Sequence, residues 1–207
     1  MDVTVLFLIG IAGGYTIGAF STGYLIGMIR GLHFWEQGSR SAGATNVARA
    51  LGWRWGIVAA LGDASKGLFA TLLVSHYVPI PWFAVTVLMA LATGNILSWW
   101  FLGLRGGKGF AVLAGGSMFI ISPYFVLFIG LWVFLLWKTR RMSLTNLIAA
   151  GSFPLFVWVL SVWMFGVHYP TEHKVTALFA AVAIFFSHRE NIRRLWKGKE
   201  PPLTLKW

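Results

Sequence analysis

The chain has 207 residues, 57% of them hydrophobic and 11% charged, with a mean hydropathy of +0.73 and a formal net charge of +11. A soluble globular domain carries about 25% charged residues, so this composition excludes that class and points to a polytopic membrane protein with a single domain over 1–207. The absence of cysteine excludes disulfides, thiolate metal sites and a cysteine nucleophile.

The first apolar run covers about residues 3–29 and ends at Arg30. No Lys or Arg precedes it and no small-x-small cleavage site follows it before Arg30, so it reads as a retained span and not a signal peptide. A polar, Gly-rich stretch comes next, "GSRSAGATNVAR" at 38–49. The second span covers about 56–75 and holds Asp63 and Lys66, two ionisable residues at i, i+3 that can pair with each other or face a substrate. The third covers about 82–102. The stretch "RGGKGFAV" at 105–112 then leads into a short apolar segment at about 110–121. As a helix this segment is roughly 18 Å long, too short to cross alone, and is expected to begin at depth in a protein-lined cavity. A fifth segment covers about 124–137, a sixth 143–165 and a seventh 174–187, followed by "SHREN" at 187–191 and a basic tail. The breaks fall at Pro79, Pro81, Gly103, Pro123 and Pro170.

Seven crossings place the connections alternately on two sides. One side takes 30–55, 103–109, 138–142 and 188–207, and with them fifteen of the seventeen Lys/Arg residues; Lys66 and Lys174 are the exceptions. This asymmetry marks the cytoplasmic side. The expected fold is therefore all-α, with about seven transmembrane or half-membrane helices, the N-terminus outside and the C-terminus cytoplasmic. All three polar stretches fall on the cytoplasmic side.

Each stretch carries chemistry suited to an anion. In "RGGKG", glycines let the backbone approach a ligand closely, Lys108 adds a point charge, and the helix that follows presents unpaired N–H groups. A plain cytoplasmic Gly-rich turn is the simpler alternative. The first stretch offers Ser39, Ser41, Thr45 and Asn46 with Arg40 and Arg49, and Gly43 as a turn, a mixture of donors and guanidinium that a phosphate favours. One of its hydroxyls is also expected to cap the "NVARAL" helix. His188 and Asn191 are three apart and neighbours on a helix face. Arg193, Arg194, Lys197 and Lys199 read as a tail attracted to anionic lipid, and Trp53, Trp99, Trp100 and Trp196 as part of an interfacial aromatic belt. No H-E-x-x-H and no paired-carboxylate motif occurs, and six acidic residues make a metal cluster unexpected.

Taken in order, "GSRSAGATNVAR", "RGGKG" and "HREN" resemble the three cytoplasmic motifs of the bacterial membrane glycerol-3-phosphate acyltransferases of the PlsY type, which use acyl phosphate. The similarity extends to "FSTGYLIGMIRG", "GDASKG" and "NIRRLWKGKE", and so runs along most of the chain. It implies a multi-pass protein of the bacterial cell membrane whose active site faces the cytoplasm. It implies transfer of a fatty acyl group from acyl phosphate to the 1-hydroxyl of glycerol 3-phosphate, giving lysophosphatidic acid, with no cofactor, metal or nucleic acid. The lipid bilayer and the two small substrates are the partners it implies, and contact with an enzyme that produces acyl phosphate is compatible with it. Carried over residue by residue, the catalytic set is His188, Asn191, Lys108, Ser39 and Arg49. The phosphate-binding set is Ser39, Gly43, Thr45, Asn46, Arg49, Arg105, Gly106, Gly107, Lys108 and Gly109.

Three departures stand out. Arg40-Ser41 replaces the family's Gly-Asn, and Arg105 replaces a Lys. "GNILSWWFLGLRGGKG" has Asn95 but neither the Gly-His nor the aromatic-Pro that the family carries before its second motif, so this loop is expected to be rebuilt. Two rival functions fit the same residues: a non-catalytic homologue that binds a phosphorylated lipid intermediate, and a transporter for a phosphorylated solute.

Overall fold

The computed structural model describes residues 2–34, 36, 38–98, 106–120 and 125–203, and among them it has eleven α-helices and no strand. They group into two compact units, Met1–Phe119 and Ile120–Leu203. Three stretches are long and apolar enough to cross a membrane: Val3–Arg30, Trp53–Tyr77 and Met142–Val159. Each apolar segment predicted from sequence falls on a helix.

In the first unit, the expected single span at 3–29 is broken. Helix α1 covers Val3–Ala19 and α2 covers Thr22–Arg30, with irregular backbone at Phe20 and Ser21. Freed backbone groups at membrane depth must be satisfied from within the protein, and α4 (Trp53–Tyr77) supplies the partners. Asp63 Oδ1 accepts hydrogen bonds from the Thr22 N–H and the Thr22 hydroxyl, both at 2.8 Å. It thus caps α2 as an N-cap side chain would, but from another helix. Lys66 Nζ lies 3.0 Å from the same oxygen and also donates to the Phe20 carbonyl. Of the two sequence readings of this ion pair, the structural one matches its contacts.

Between α3 (Ala44–Leu51) and α4, the buried side chains Ile26, Phe34, Val47 and Ala59 form a small core beneath the polar stretch. Helix α5 (Pro81–Ile96) is buried nearly all round, as a helix apolar on every face should be. It ends six residues before the predicted boundary. It packs against α1 with backbones in close approach, which small residues permit. A Cβ on Gly18 would stand 1.9 Å from the Leu91 carbonyl oxygen, and one on Gly94 would stand 2.1 Å from that of Tyr15. Helix α6 (Phe110–Ile120) is as short as predicted.

In the second unit, α7 (Phe125–Thr139) leads to α8 (Met142–Leu155), which packs with α10 (Thr171–Ser187). The predicted span 143–165 is continuous but changes pitch: Pro154, which has no N–H to donate, precedes a π-turn at Phe156–Leu160, and α9 (Ser161–Phe165) completes the run. Helix α11 (Arg189–Trp196) follows α10 through His188. The tail then returns to the α7–α8 turn, where the Leu203 N–H donates to the Arg140 carbonyl at 2.7 Å.

The α1–α5 contact yields a controlled comparison. Gly18→Ala is expected to lower stability by about 1–3 kcal/mol or more through overpacking. Gly13→Ala on the same helix meets nothing within 4 Å and is expected to be neutral or stabilising by about 0.5–1 kcal/mol. Melting temperatures in detergent compare the two.

Candidate active site

In the first unit, the polar stretch is organised by Asn46, which is 1% exposed. Its Oδ1 accepts from the Ser39 N–H at 3.1 Å, and its Nδ2 donates to the Ser41 carbonyl at 2.9 Å and the Phe34 carbonyl at 3.3 Å. Asn46 therefore folds the stretch onto α3. The Ser39 and Ser41 hydroxyls lie 3.2 Å apart, and Ser39, Thr45 and Arg49 are half-buried. No hydroxyl caps α3, contrary to the sequence expectation: Gly43 holds the N-cap position, and its carbonyl receives the Asn46 and Val47 N–H groups. A capping hydroxyl would have to come from residue 43, where this chain has none. Arg40 adopts φ +52°, a left-handed conformation.

The second stretch is shaped by Asn95 at the end of α5. Its Oδ1 accepts from the Gly109 N–H at 3.0 Å. A Cβ on Gly106 would stand 2.3 Å from the Asn95 carbonyl oxygen, and one on Gly107 would stand 2.4 Å from Asn95 Oδ1. Gly109 has φ +72°. Two glycines are thus demanded by closeness and a third by conformation. Lys108 is half-buried in this turn, immediately before α6. Arg105 lies outside the described residues, as do Trp99 and Trp100.

The first stretch and the residues just after α5 are tied to the break after α1. The Ser98 hydroxyl donates to the Ala19 carbonyl at 2.9 Å, and the Ser21 hydroxyl donates to the Ala42 carbonyl at 3.3 Å. The Tyr15 hydroxyl adds a 2.6 Å bond to the Leu97 carbonyl.

In the second unit, His188 ends α10 and starts α11, and is 1% exposed. Its Nδ1 lies 2.9 Å from the Ile184 carbonyl oxygen. A carbonyl only accepts, so Nδ1 carries a proton toward it, and the Ser187 hydroxyl lies 3.2 Å from the same nitrogen. Asn191, 3% exposed, donates from Nδ2 to Glu200 Oε1 at 2.9 Å. Glu200 is 4% exposed and also accepts from the Ser143 hydroxyl at 2.7 Å and from Arg194 Nε at 2.7 Å. Arg194 therefore belongs to this cluster and not to the free basic tail predicted for it. Trp196, 90% exposed, fits the tail reading. Glu200 was missed from sequence; a lone carboxylate among "WKGKEPP" was its only signal.

Comparison with known proteins covers nearly the whole chain. A family model described as glycerol-3-phosphate acyltransferase matches residues 8–198. A glycerol-3-phosphate acyltransferase of Synechococcus sp. (strain JA-3-3Ab) is 34% identical over 201 residues, 97% of this chain and 95% of that protein. One from Geotalea daltonii is 38% identical over 197 residues, 92% and 94% of the two chains. The crystal structure of PlsY, an integral membrane glycerol 3-phosphate acyltransferase, in its glycerol 3-phosphate form aligns with a TM-score of 0.85 at 28% identity over 96% of each chain. Its lysophosphatidic acid form aligns with a TM-score of 0.82.

Burial alone pushes the Glu200 carboxyl up, but the hydrogen bonds from Ser143, Arg194 and Asn191, with the Arg194 charge, outweigh it and hold the pKa below the usual glutamate value. A carboxylate of this kind stabilises the fold above its unfolded pKa, near 4.5, and that contribution is lost as the pH falls through the lower folded value. Glu200→Gln is expected to cost about 1–3 kcal/mol at pH 7 and to flatten the fall in melting temperature below pH 4.5. Thermal melts across pH 3–7 check this.

Proposed function

This chain belongs to the glycerol-3-phosphate acyltransferase family, and we propose that it moves a fatty acyl group from acyl phosphate to the 1-hydroxyl of glycerol 3-phosphate. The product is lysophosphatidic acid, a phospholipid precursor. The observation that carries the reading is the Gly106–Gly109 turn, held by Asn95 at the start of α6 with Lys108 inside it. Peptide N–H groups and an ammonium at a helix start suit a phosphate group. The hydroxyls of Ser39 and Thr45 with the Arg49 guanidinium suit a second one.

The reaction is an acyl transfer. The substrate hydroxyl oxygen attacks the carbonyl carbon, a new ester C–O bond forms, and the bond to the phosphate oxygen breaks with its electron pair leaving on phosphate. The hydroxyl proton passes to a phosphate oxygen. Phosphate is a good leaving group, so holding two anions together and offsetting their charge is the main task of the protein. A second proton acceptor is His188 in its neutral form: its Nδ1–H on the Ile184 carbonyl orients the ring, and Nε2 would take the proton. Asn191 and Glu200 form the hydrogen-bonded support of that segment.

This is an integral membrane enzyme. We infer one acyltransferase domain over 1–207, a bacterial cell membrane location, seven crossings and a cytoplasm-facing active site, on the Lys/Arg asymmetry. Tags on the two termini are then expected to be reached from opposite sides, the N-terminus from outside. Labelling of both ends from one side would overturn this topology.

Purified protein is expected to turn over acyl phosphate with glycerol 3-phosphate and to use acyl-CoA poorly. No turnover, or equal use of acyl-CoA, would sink the reading. Lys108→Ala should cost about 1.5–3 kcal/mol of substrate or transition-state binding, roughly ten- to a hundred-fold in kcat/KM. Lys199→Ala, in the tail, should leave kcat/KM nearly unchanged.

A further inference from the structure

Asn95, in the last turn of α5, is 2% exposed. Its two amide atoms are used unequally. Oδ1 accepts from the Gly109 N–H at 3.0 Å, while Nδ2 is fully buried and has no hydrogen-bond partner among the described residues. Exchanging the two atoms would set an N–H against an N–H, so the orientation is fixed. A buried unpaired donor is disfavoured, whereas an apolar isostere would leave the buried Gly109 N–H without this acceptor. The group that keeps Asn here is therefore the acceptor, and its partner is the turn that carries Lys108.

The surroundings of Asn95 show how it acts. Its own carbonyl oxygen leaves no room for a side chain at Gly106, and its Oδ1 leaves none at Gly107. The residues that follow are held too, through Tyr15 on the Leu97 carbonyl and Ser98 on the Ala19 carbonyl. The last turn of α5 is thus a fixed template, and the Gly106–Gly109 turn is laid against it.

We propose that Asn95 is a positioning residue for phosphate binding, which sets the Gly106–Gly109 turn and the aim of Lys108 without touching substrate. The proposal rests on the reading of that turn as a phosphate site. It predicts that loss of the Oδ1 acceptor lets the turn relax away from its binding geometry while the helices stay folded.

The test uses the full-length protein in detergent. Asn95→Leu removes the unpaired donor together with the acceptor; the Gly109 N–H it frees is met as the turn relaxes, so the melting temperature is expected to fall by several degrees while the protein stays folded. KM for glycerol 3-phosphate is expected to rise roughly ten- to a hundred-fold, the scale of misplacing a binding group by about 1 Å, with kcat falling less. Inorganic phosphate, added alone, should raise the wild-type melting temperature, and Asn95→Leu should need at least roughly ten-fold more of it for the same shift. A wild-type KM and phosphate response in Asn95→Leu would overturn the proposal. If Asn95→Leu does not fold, Gly107→Ala, Asn95→Ala and their double variant decide. The added methyl meets Asn95 Oδ1, so the double variant should bind phosphate better than the two single effects combined predict; additive effects would refute the template. The phosphate melts need no turnover. An inactive wild type with a phosphate response lost in Asn95→Leu would refute the acyltransferase reading and leave Asn95 in its role.

Discussion

A polar backbone group inside a membrane protein has no water to turn to, and this chain departs from regular helix at membrane depth wherever it needs to build something. The break at Phe20 and Ser21 is the clearest case. It exists because Asp63 takes the N–H and hydroxyl of Thr22 while Lys66 takes the Phe20 carbonyl. The ion pair answers the usual objection to buried charge, since both members have hydrogen-bonding work beyond each other. Losing Lys66 would leave the buried Asp63 carboxylate without its charge partner. The break in turn offers Ser21 and the Ala19 carbonyl as anchors, the first for the polar stretch through Ala42 and the second for Ser98 just after α5.

Close backbone packing makes those anchors stiff. Gly18 and Gly94 let α1 and α5 meet at separations no side chain would allow. The rigidity passes along α5 to Asn95, Leu97 and Ser98, and from Asn95 to the glycine turn. The first stretch is stiffened differently, by a single buried amide: Asn46 bridges Phe34, Ser39 and Ser41. Arg40 sits in this bridge with φ +52°, in the position where the related motif has glycine. A left-handed backbone costs a non-glycine residue about 1–2 kcal/mol, so the turn is dictated by its surroundings and persists after the residue suited to it has gone. The loop before the second motif, expected to be rebuilt, falls largely on residues 99–105, which lie outside the described residues.

Hydrophobic runs and punctuation made the helices legible in the sequence, and i, i+3 spacing made Asp63–Lys66 legible as a pair. The break in the first span was not legible, because "AFSTG" has no proline and its cause lies on another helix, forty residues away. The structural role of Asn46 was not legible for a related reason. A hydroxyl- and amide-rich run reads as a ligand site, and only the fold shows that the amide is committed to the loop itself. Glu200 was hidden in a basic tail; its partners Ser143, Asn191 and Arg194 come from two helices far apart in sequence. The capping reading of the first stretch failed by position, since the helix starts after Gly43 and no hydroxyl stands there.

The surroundings of His188 bear on where the proton goes in the proposed reaction. A histidine that acts as base becomes an imidazolium, and a carboxylate on its far nitrogen stabilises that charge as well as the ring's orientation. Here the far nitrogen faces the Ile184 carbonyl, a neutral acceptor that fixes the tautomer and gives less to the charged form. The nearby carboxylate, Glu200, takes Asn191, Ser143 and Arg194 instead. The carboxylate of this segment is thus already matched by the Arg194 guanidinium and two further donors. An acyl phosphate, by contrast, brings its own oxygens, which grow more basic as the carbonyl–oxygen bond breaks. In the proposed reaction these grounds favour the leaving phosphate over His188 as the acceptor of the proton.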